Sequence, residues 1–356
     1  MPIPGAAEGE DAPEPTAAFL RACRRLETDH TPVWFMRQAG RYMAEYRAIR
    51  AEHSMLETIN TPELAAEITL QPINAFGFDA AIIFADILLI LEPLGIGFEF
   101  TKDDGPRIPT PIRTPTQIDA VRDGIDAKNS LGYVMESIRR TKAALPSGVP
   151  LIGFAGAPFT LASYAIEGGG SKTYEETKRL MFSDRGAWDA LMARLTVAVA
   201  DYLNAQIHAG ADAVQVFDSW VGCLGPEEYR TFVAPHMRRL FDQLDPAVPH
   251  IHFGTGNPML YPEMKGAGGD VLGIDWRTDL GTAWSAVGGD VAIQGNLDPA
   301  YLLVPEPIMK EAADAVLRSA GGREGHIFNL GHGVMPRATV DQVRALVDHV
   351  HETSQR

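Results

Sequence analysis

Short apolar runs recur along the chain, each closing on Gly, Asp, Asn or Ser before a longer stretch with apolar residues three and four apart. The runs cover residues 33–36, 80–84, 150–154, 213–217, 250–253, 271–274, 291–293 and 326–330. Segments such as 62–76 and 174–207 carry the period of amphipathic helices between them. Strands alternating with helices in this way predict an α/β fold. The expectation is one (β/α)8 TIM barrel over residues 16–356. An open doubly wound sheet has the same period and is the alternative. The long helical interval before Asp212 and the Pro-rich stretch 106–115 read as excursions within that domain. Residues 1–15 are acidic and rich in Pro and Ala, which predicts a disordered tail.

A barrel gathers its chemistry at the C-terminal ends of the strands, on the loops that lead into the helices. Those positions hold Arg37, Asp86, Gly156, Asp218 with Ser219, Gly254, Asp275, Asn296 and His332. Strand ends are commonly polar in any protein. The joint occurrence of so many polar residues and glycines is what points to a site.

Charge sharpens the picture at one place. The chain holds 31 Lys+Arg against 46 Asp+Glu, a formal net charge of −15. Nucleic acid and anionic membrane are therefore poor partners. Against that background, PVWFMRQAGRY at residues 32–42 sets Arg37 and Arg41 around Gly40 just after an apolar run. Arginine pairs bidentately with carboxylate and phosphate. If this turn were helical the two cations would share one face, where like charges cost roughly 0.2–0.5 kcal/mol unless an anion sits between them. Each could instead pair with a surface carboxylate. The two cysteines, Cys23 and Cys223, are far apart and form no CxxC pair, which fits a reducing compartment. No apolar run approaches the ~20 residues of a membrane span, and the start lacks the cationic and apolar regions of a signal peptide. A soluble, cytoplasmic protein is expected.

Asp86 stands in the apolar sequence FADIL, so its carboxylate needs donors or a cation. Capping the next helix through a backbone N–H would supply one equally well. Ser219 has no Gly-x-Ser-x-Gly elbow around it and reads as a hydrogen-bonding hydroxyl, not a nucleophile. His332 lies between Gly331 and Gly333, which allow a ligand close to the backbone. Tyr164, in the turn beginning at Gly156, either reaches a cavity or packs in the core. The segment EGGGSKT at 167–173 lacks the adjacent Gly-Lys-Ser/Thr of a phosphate loop and reads as a mobile loop. His252 has no cysteine two residues on and Cys223 no evident partner, so a zinc site is not expected.

Taken together, these segments resemble the uroporphyrinogen decarboxylase family, from about Thr31 to the last helix. PVWFMRQAGRYMAEYR and GFAGAPFTLASYAIEGGGSK are long and specific, and GFDAAIIFADIL, QVFDSW, IDWR, QGNLDP and FNLGHG follow in the family's order. The resemblance implies a barrel homodimer with no metal and no organic cofactor. It also implies stepwise loss of the acetate carboxyls of uroporphyrinogen to give coproporphyrinogen. Substrate-binding positions implied by it are Arg37, Gln38, Ala39, Gly40, Arg41, Asp86, Tyr164, Ser219 and His332, with Asp86 and Arg37 catalytic. Related barrel methyltransferases carry a zinc-binding cysteine where Gly254 stands, which favours the decarboxylase.

Overall fold

A computed structural model describes residues 15–101 and 105–356. The tail expected at 1–15 lies outside the described residues except for Pro15. Seven parallel strands form one curled sheet in the order β1 (Ala81–Ile82), β4 (Leu151–Gly156), β5 (Ala213–Asp218), β6 (His250–Gly254), β7 (Val271–Gly273), β8 (Ala292–Leu297) and β9 (His326–Leu330). A separate antiparallel pair, β2 (Glu99–Thr101) and β3 (Gly105–Arg107), belongs to the excursion after β1. The first apolar run does not extend into a ladder, yet it supplies the eighth stave. Val33 bridges Phe328 of β9 in parallel. On that edge Phe328 N donates to Pro32 O at 2.8 Å and Trp34 N to Phe328 O at 3.3 Å. On the other edge Asp79 N, at the entrance to β1, donates to Val33 O at 2.9 Å. Both seams are therefore hydrogen-bonded, which closes the sheet and removes the doubly wound alternative.

Alternation along the staves sorts side chains between two cores. Val33 and Phe35 face the outer layer between sheet and helices. Trp34 and Met36 face the barrel interior with Ala80, Ile152, Ala213, Ile251, Val271 and Ile327. Phe19, Ala22 and Cys23 of the helix Ala18–Cys23 join this inner cluster and plug its floor. A polar chain crosses the interior: Trp34 Nε1 donates to Gln294 Oε1 and Gln294 Nε2 to Gln215 Oε1, both at 3.0 Å. The links satisfy Trp34 Nε1 and both ends of the Gln294 amide, and leave Gln215 Nε2 without a partner among the described residues.

Helix boundaries follow local chemistry. The interval 174–207, which reads as one helical pattern, is broken in two. Asp184 ends Glu175–Ser183, and its side chain accepts from Ala187 N to cap Arg185–Ala209. Helix Pro158–Glu167 starts with Pro at its first position and stops at Gly168, whose φ of 89° suits glycine. Gly168 is also tied to the excursion, because Ile108 N donates to its carbonyl at 2.9 Å. That bond anchors the front of the segment expected to be a mobile loop. Among the described residues no helix is long and apolar enough to cross a membrane.

Candidate active site

Each candidate side chain leaves the barrel at the C-terminal end of a stave. Arg37 follows the closing stave, Asp86 follows β1, Ser219 follows β5 and His332 follows β9. Tyr164 sits on helix Pro158–Glu167 after β4, not in the turn. The segment carrying Arg37 and Arg41 is a string of turns, so the two cations do not share a helix face. Arg37 adopts the left-handed region with φ 59°, uncommon for a side-chain-bearing residue. Its backbone is held from below: Met36 N donates to Asn329 Oδ1 at 3.3 Å and Val334 N to Met36 O at 2.9 Å. These bonds fasten the Arg37 turn to the loop that carries His332. Both arginines are exposed, and neither guanidinium meets a carboxylate partner among the described residues.

Asp86 Oδ1 accepts from Leu88 N at 2.9 Å, a turn within its own loop and not a cap on the short helix Leu89–Leu91 that follows. Oδ2 has no hydrogen-bond partner among the described residues. Burial raises the Asp86 pKa above the ordinary carboxylate value, while the Leu88 N–H and the Arg37 guanidinium pull it back. Asp86 and Arg37 also act on the Tyr164 hydroxyl, which burial pushes up to about 12. The three groups thus share one electrostatic neighbourhood.

Tyr164 stacks on Trp220 with ring centroids 3.7 Å apart and 27° between planes. The stack is braced from the buried side. Thr160, on the same helix as Tyr164, donates to Asp218 Oδ1 at 2.9 Å and accepts from Trp220 N at 3.3 Å. Asp218 is fully buried, its Oδ2 has no partner among the described residues, and burial pushes its pKa up to about 7. Ser219, between Asp218 and Trp220, is half-buried. Its hydroxyl has no protein partner among the described residues.

His332 is neutral at pH 7. Burial, then Arg37 and Arg277, lowers its pKa to about 4, against an upward pull from Asp275. Its glycine neighbours leave room for packing within the protein. A Cβ at Gly331 would lie 2.4 Å from Trp276 N, and one at Gly333 would lie 2.6 Å from Arg37 Cδ. Arg277 is a rim cation whose role the sequence did not expose. It pairs with Asp275 Oδ2 and covers the Trp276 ring at 4.1 Å. Buried Asp275 is saturated by Thr255 Oγ1 at 2.9 Å and Gly256 N at 2.7 Å besides.

The remaining expected positions behave differently. Gln38 is buried with both ends of its amide on backbone: Oε1 accepts from Phe35 N at 3.3 Å and Nε2 donates to Ala80 O at 3.2 Å. Its side chain shapes the turn. Ala39 packs on the core edge, and Gly40 lets the chain pass close to Arg37 O. Trp220 and Thr160 were missed as parts of the site, because nothing in their spacing marks a stack or a brace. At the place of a methyltransferase cysteine, Met264 fills the space beside Gly254, with Cε 2.4 Å from a built Cβ. His252 faces outward, against Phe241 at 5.1 Å between ring centroids.

Comparison with known proteins agrees with this layout. Residues 14–353 match the family model for uroporphyrinogen decarboxylase (URO-D). A uroporphyrinogen decarboxylase from Sorangium cellulosum (strain So ce56) is 54% identical over 334 residues, covering 94% of this chain and 95% of that protein. One from Carboxydothermus hydrogenoformans is 52% identical over 337 residues, covering 94% and 96%. Among solved structures, a methyltransferase from Methanosarcina mazei superposes with TM-score 0.76 at 20% identity, covering 96% of this chain and 99% of that one. That likeness is one of fold.

Proposed function

The chain belongs to the uroporphyrinogen decarboxylase family, and on that premise we propose that it converts uroporphyrinogen III to coproporphyrinogen III. Each of four acetate side chains loses its carboxyl as CO₂ and becomes a methyl group. The observation that carries the reading is Asp86, pinned through Oδ1 with Oδ2 open, in the field of an Arg37 guanidinium that forms no ion pair among the described residues.

The substrate carries eight carboxylates and four inward-pointing pyrrole N–H groups. Arg37 and Arg41 concentrate positive charge on a chain of net charge −15, which its carboxylates require. Asp86 accepts the pyrrole N–H groups. A proton added to a pyrrole carbon makes the ring a cationic electron sink. The bond to the carboxyl carbon then breaks, its electron pair moves into the ring, and CO₂ departs. The exocyclic methylene takes up a proton as the ring carbon gives its own back, so each turnover consumes one proton. No organic cofactor or metal is needed for this sequence. Ionised Asp86 stabilises the cation, the kind of preorganised electrostatics that usually dominates catalysis. Arg37 holds the reacting carboxylate; with a guanidinium pKa above ~12 it is a poor proton donor. Tyr164, Ser219 and neutral His332 hold peripheral carboxylates.

This reading assigns the chemistry to residues 16–356, so removing residues 1–15 leaves turnover unchanged. It also includes a cytoplasmic homodimer. Support for self-association is the exposed apolar set Met259, Tyr301, Leu303 and Met335 in the loops after β6, β8 and β9, on the rim that holds the site. Light scattering should give twice the chain mass. Both cysteines are unpaired, as a reducing compartment favours. The reaction is tested by anaerobic incubation with uroporphyrinogen in chelator, followed by chromatography of the oxidised products. Progressive conversion to the four-carboxyl product supports the reading, and bound but unchanged substrate contradicts it.

A further inference from the structure

We propose that His30, Asp79 and His351 form a binding site for a zinc-class divalent cation on the face of the barrel opposite the substrate. His30 Nε2 lies 2.9 Å from Asp79 Oδ1, and His351 Nε2 lies 2.7 Å from Asp79 Oδ2. One ligand atom from each residue falls within 4.8 Å of the others. Zinc held at about 2.0–2.2 Å by nitrogen and oxygen needs ligand atoms roughly 3.4 Å apart in a tetrahedron. The two imidazoles meet different oxygens of Asp79, so with one carboxylate oxygen on the ion one short edge opens by about half an ångström, while the other two edges change by no more than about 1.4 Å.

The donor set is specific. Two imidazoles and one carboxylate suit zinc with a water in the fourth position, and magnesium or calcium would want more oxygen. The second shell is in place: Val33 N donates to Asp79 Oδ2 at 2.7 Å, orienting the carboxylate. Side-chain exposures of 28%, 16% and 28% leave an entry path. On binding, each imidazole gives up its Nε2 proton, to Nδ1 or to solvent, and offers the freed lone pair; nothing is oxidised or reduced.

The location gives the site a purpose. His30 precedes the closing stave, Asp79 precedes β1, and His351 lies on the last helix, Val340–Thr353. Thr31 N already donates to Ser354 Oγ at 2.9 Å and Arg356 N to Asp29 O at 3.0 Å. An ion here staples the last helix to the seam where the barrel closes. The inference stands apart from the decarboxylase reading.

The test titrates chelator-stripped full-length protein with Zn²⁺, by dialysis and metal analysis, and with Co²⁺, by visible absorption. One equivalent of Zn²⁺, a four-coordinate Co²⁺ spectrum and a raised thermal midpoint are expected. In His351→Gln, whose amide keeps the bond to Asp79, affinity should fall at least ~10-fold and the midpoint shift should vanish. Ring ¹⁵N shifts of His30 and His351 in the unmodified chain should move with added Zn²⁺, a readout that needs no variant to fold. Absence of stoichiometric binding, unchanged affinity in His351→Gln, or ring shifts that stay still would overturn the proposal.

Discussion

The side chain of Arg37 lies across Gly333, so that a Cβ built on Gly333 falls 2.6 Å from Arg37 Cδ, 2.8 Å from Cγ and 3.1 Å from Cβ. Gly333 is not in the left-handed region; what it provides is room. Alanine there should displace Arg37 while the fold stays intact. Misplacing a positioning group by about 1 Å can cost about 10²-fold, so Gly333→Ala should lower kcat/KM by roughly 10–100-fold with unchanged circular dichroism. Combined with Arg37→Ala it should add nothing further, since both act through one side chain. Independent, multiplying losses would refute the relationship.

Asp86 must be ionised to stabilise a cation, and burial has raised its pKa while Arg37 opposes the rise. The acid limb of kcat/KM should therefore lie above the ordinary carboxylate value of 3.8. Removing the guanidinium in Arg37→Leu takes away a lowering influence, so the limb in the residual activity should move to higher pH. A limb that stays put, or moves down, would show that Arg37 does not act on Asp86.

Asp218 titrates at 3.8 when free and at about 7 in the fold. The folded state therefore resists its ionisation. The penalty is absent below 3.8, grows with pH up to about 7 and is constant above that. Asp218→Asn has no such penalty. The stability of that variant relative to the parent should rise by roughly 4–5 kcal/mol across the window, at about 1.4 kcal/mol per pH unit. Urea unfolding at several pH values measures it, and a flat difference would rule out a carboxyl buried in this state.

His332 should carry no positive charge above pH about 4. Ring ¹⁵N shifts of the ligand-free protein at pH near 6 should report a neutral imidazole. In Arg37→Leu the titration should move upward, because the guanidinium is one of the groups that depress it. Titration near 6.5 in the parent would contradict the assignment.

The barrel staves were legible because each is a brief apolar run, buried throughout in β4, β8 and β9. The closing stave read as a strand although it makes a single bridge, since its alternation of Val33 and Phe35 with Trp34 and Met36 is that of a strand. The β2–β3 pair escaped notice: its residues are too polar and too few to carry a period. At the candidate site, Arg37 and Asp86 stood out in the sequence by charge at strand ends, and His332 by its position at a strand end between two glycines. The Thr160–Asp218 brace and the seat of Arg37 on Gly333 did not, because they join residues 58 and 296 positions apart by shape and one hydroxyl. The role of the Gln38 side chain was not legible either: its amide is spent on the backbone of Phe35 and of Ala80, far along the sequence.

The central claim is that the Asp86 charge stabilises a cationic ring, and Asp86→Asn addresses it with almost no change of shape. Single-turnover decarboxylation, measured beside uroporphyrinogen binding, separates the two roles. Turnover should fall by about 10²–10³-fold, the usual scale for losing one preorganised electrostatic group, with binding far less affected. Near-normal turnover in Asp86→Asn would contradict the account.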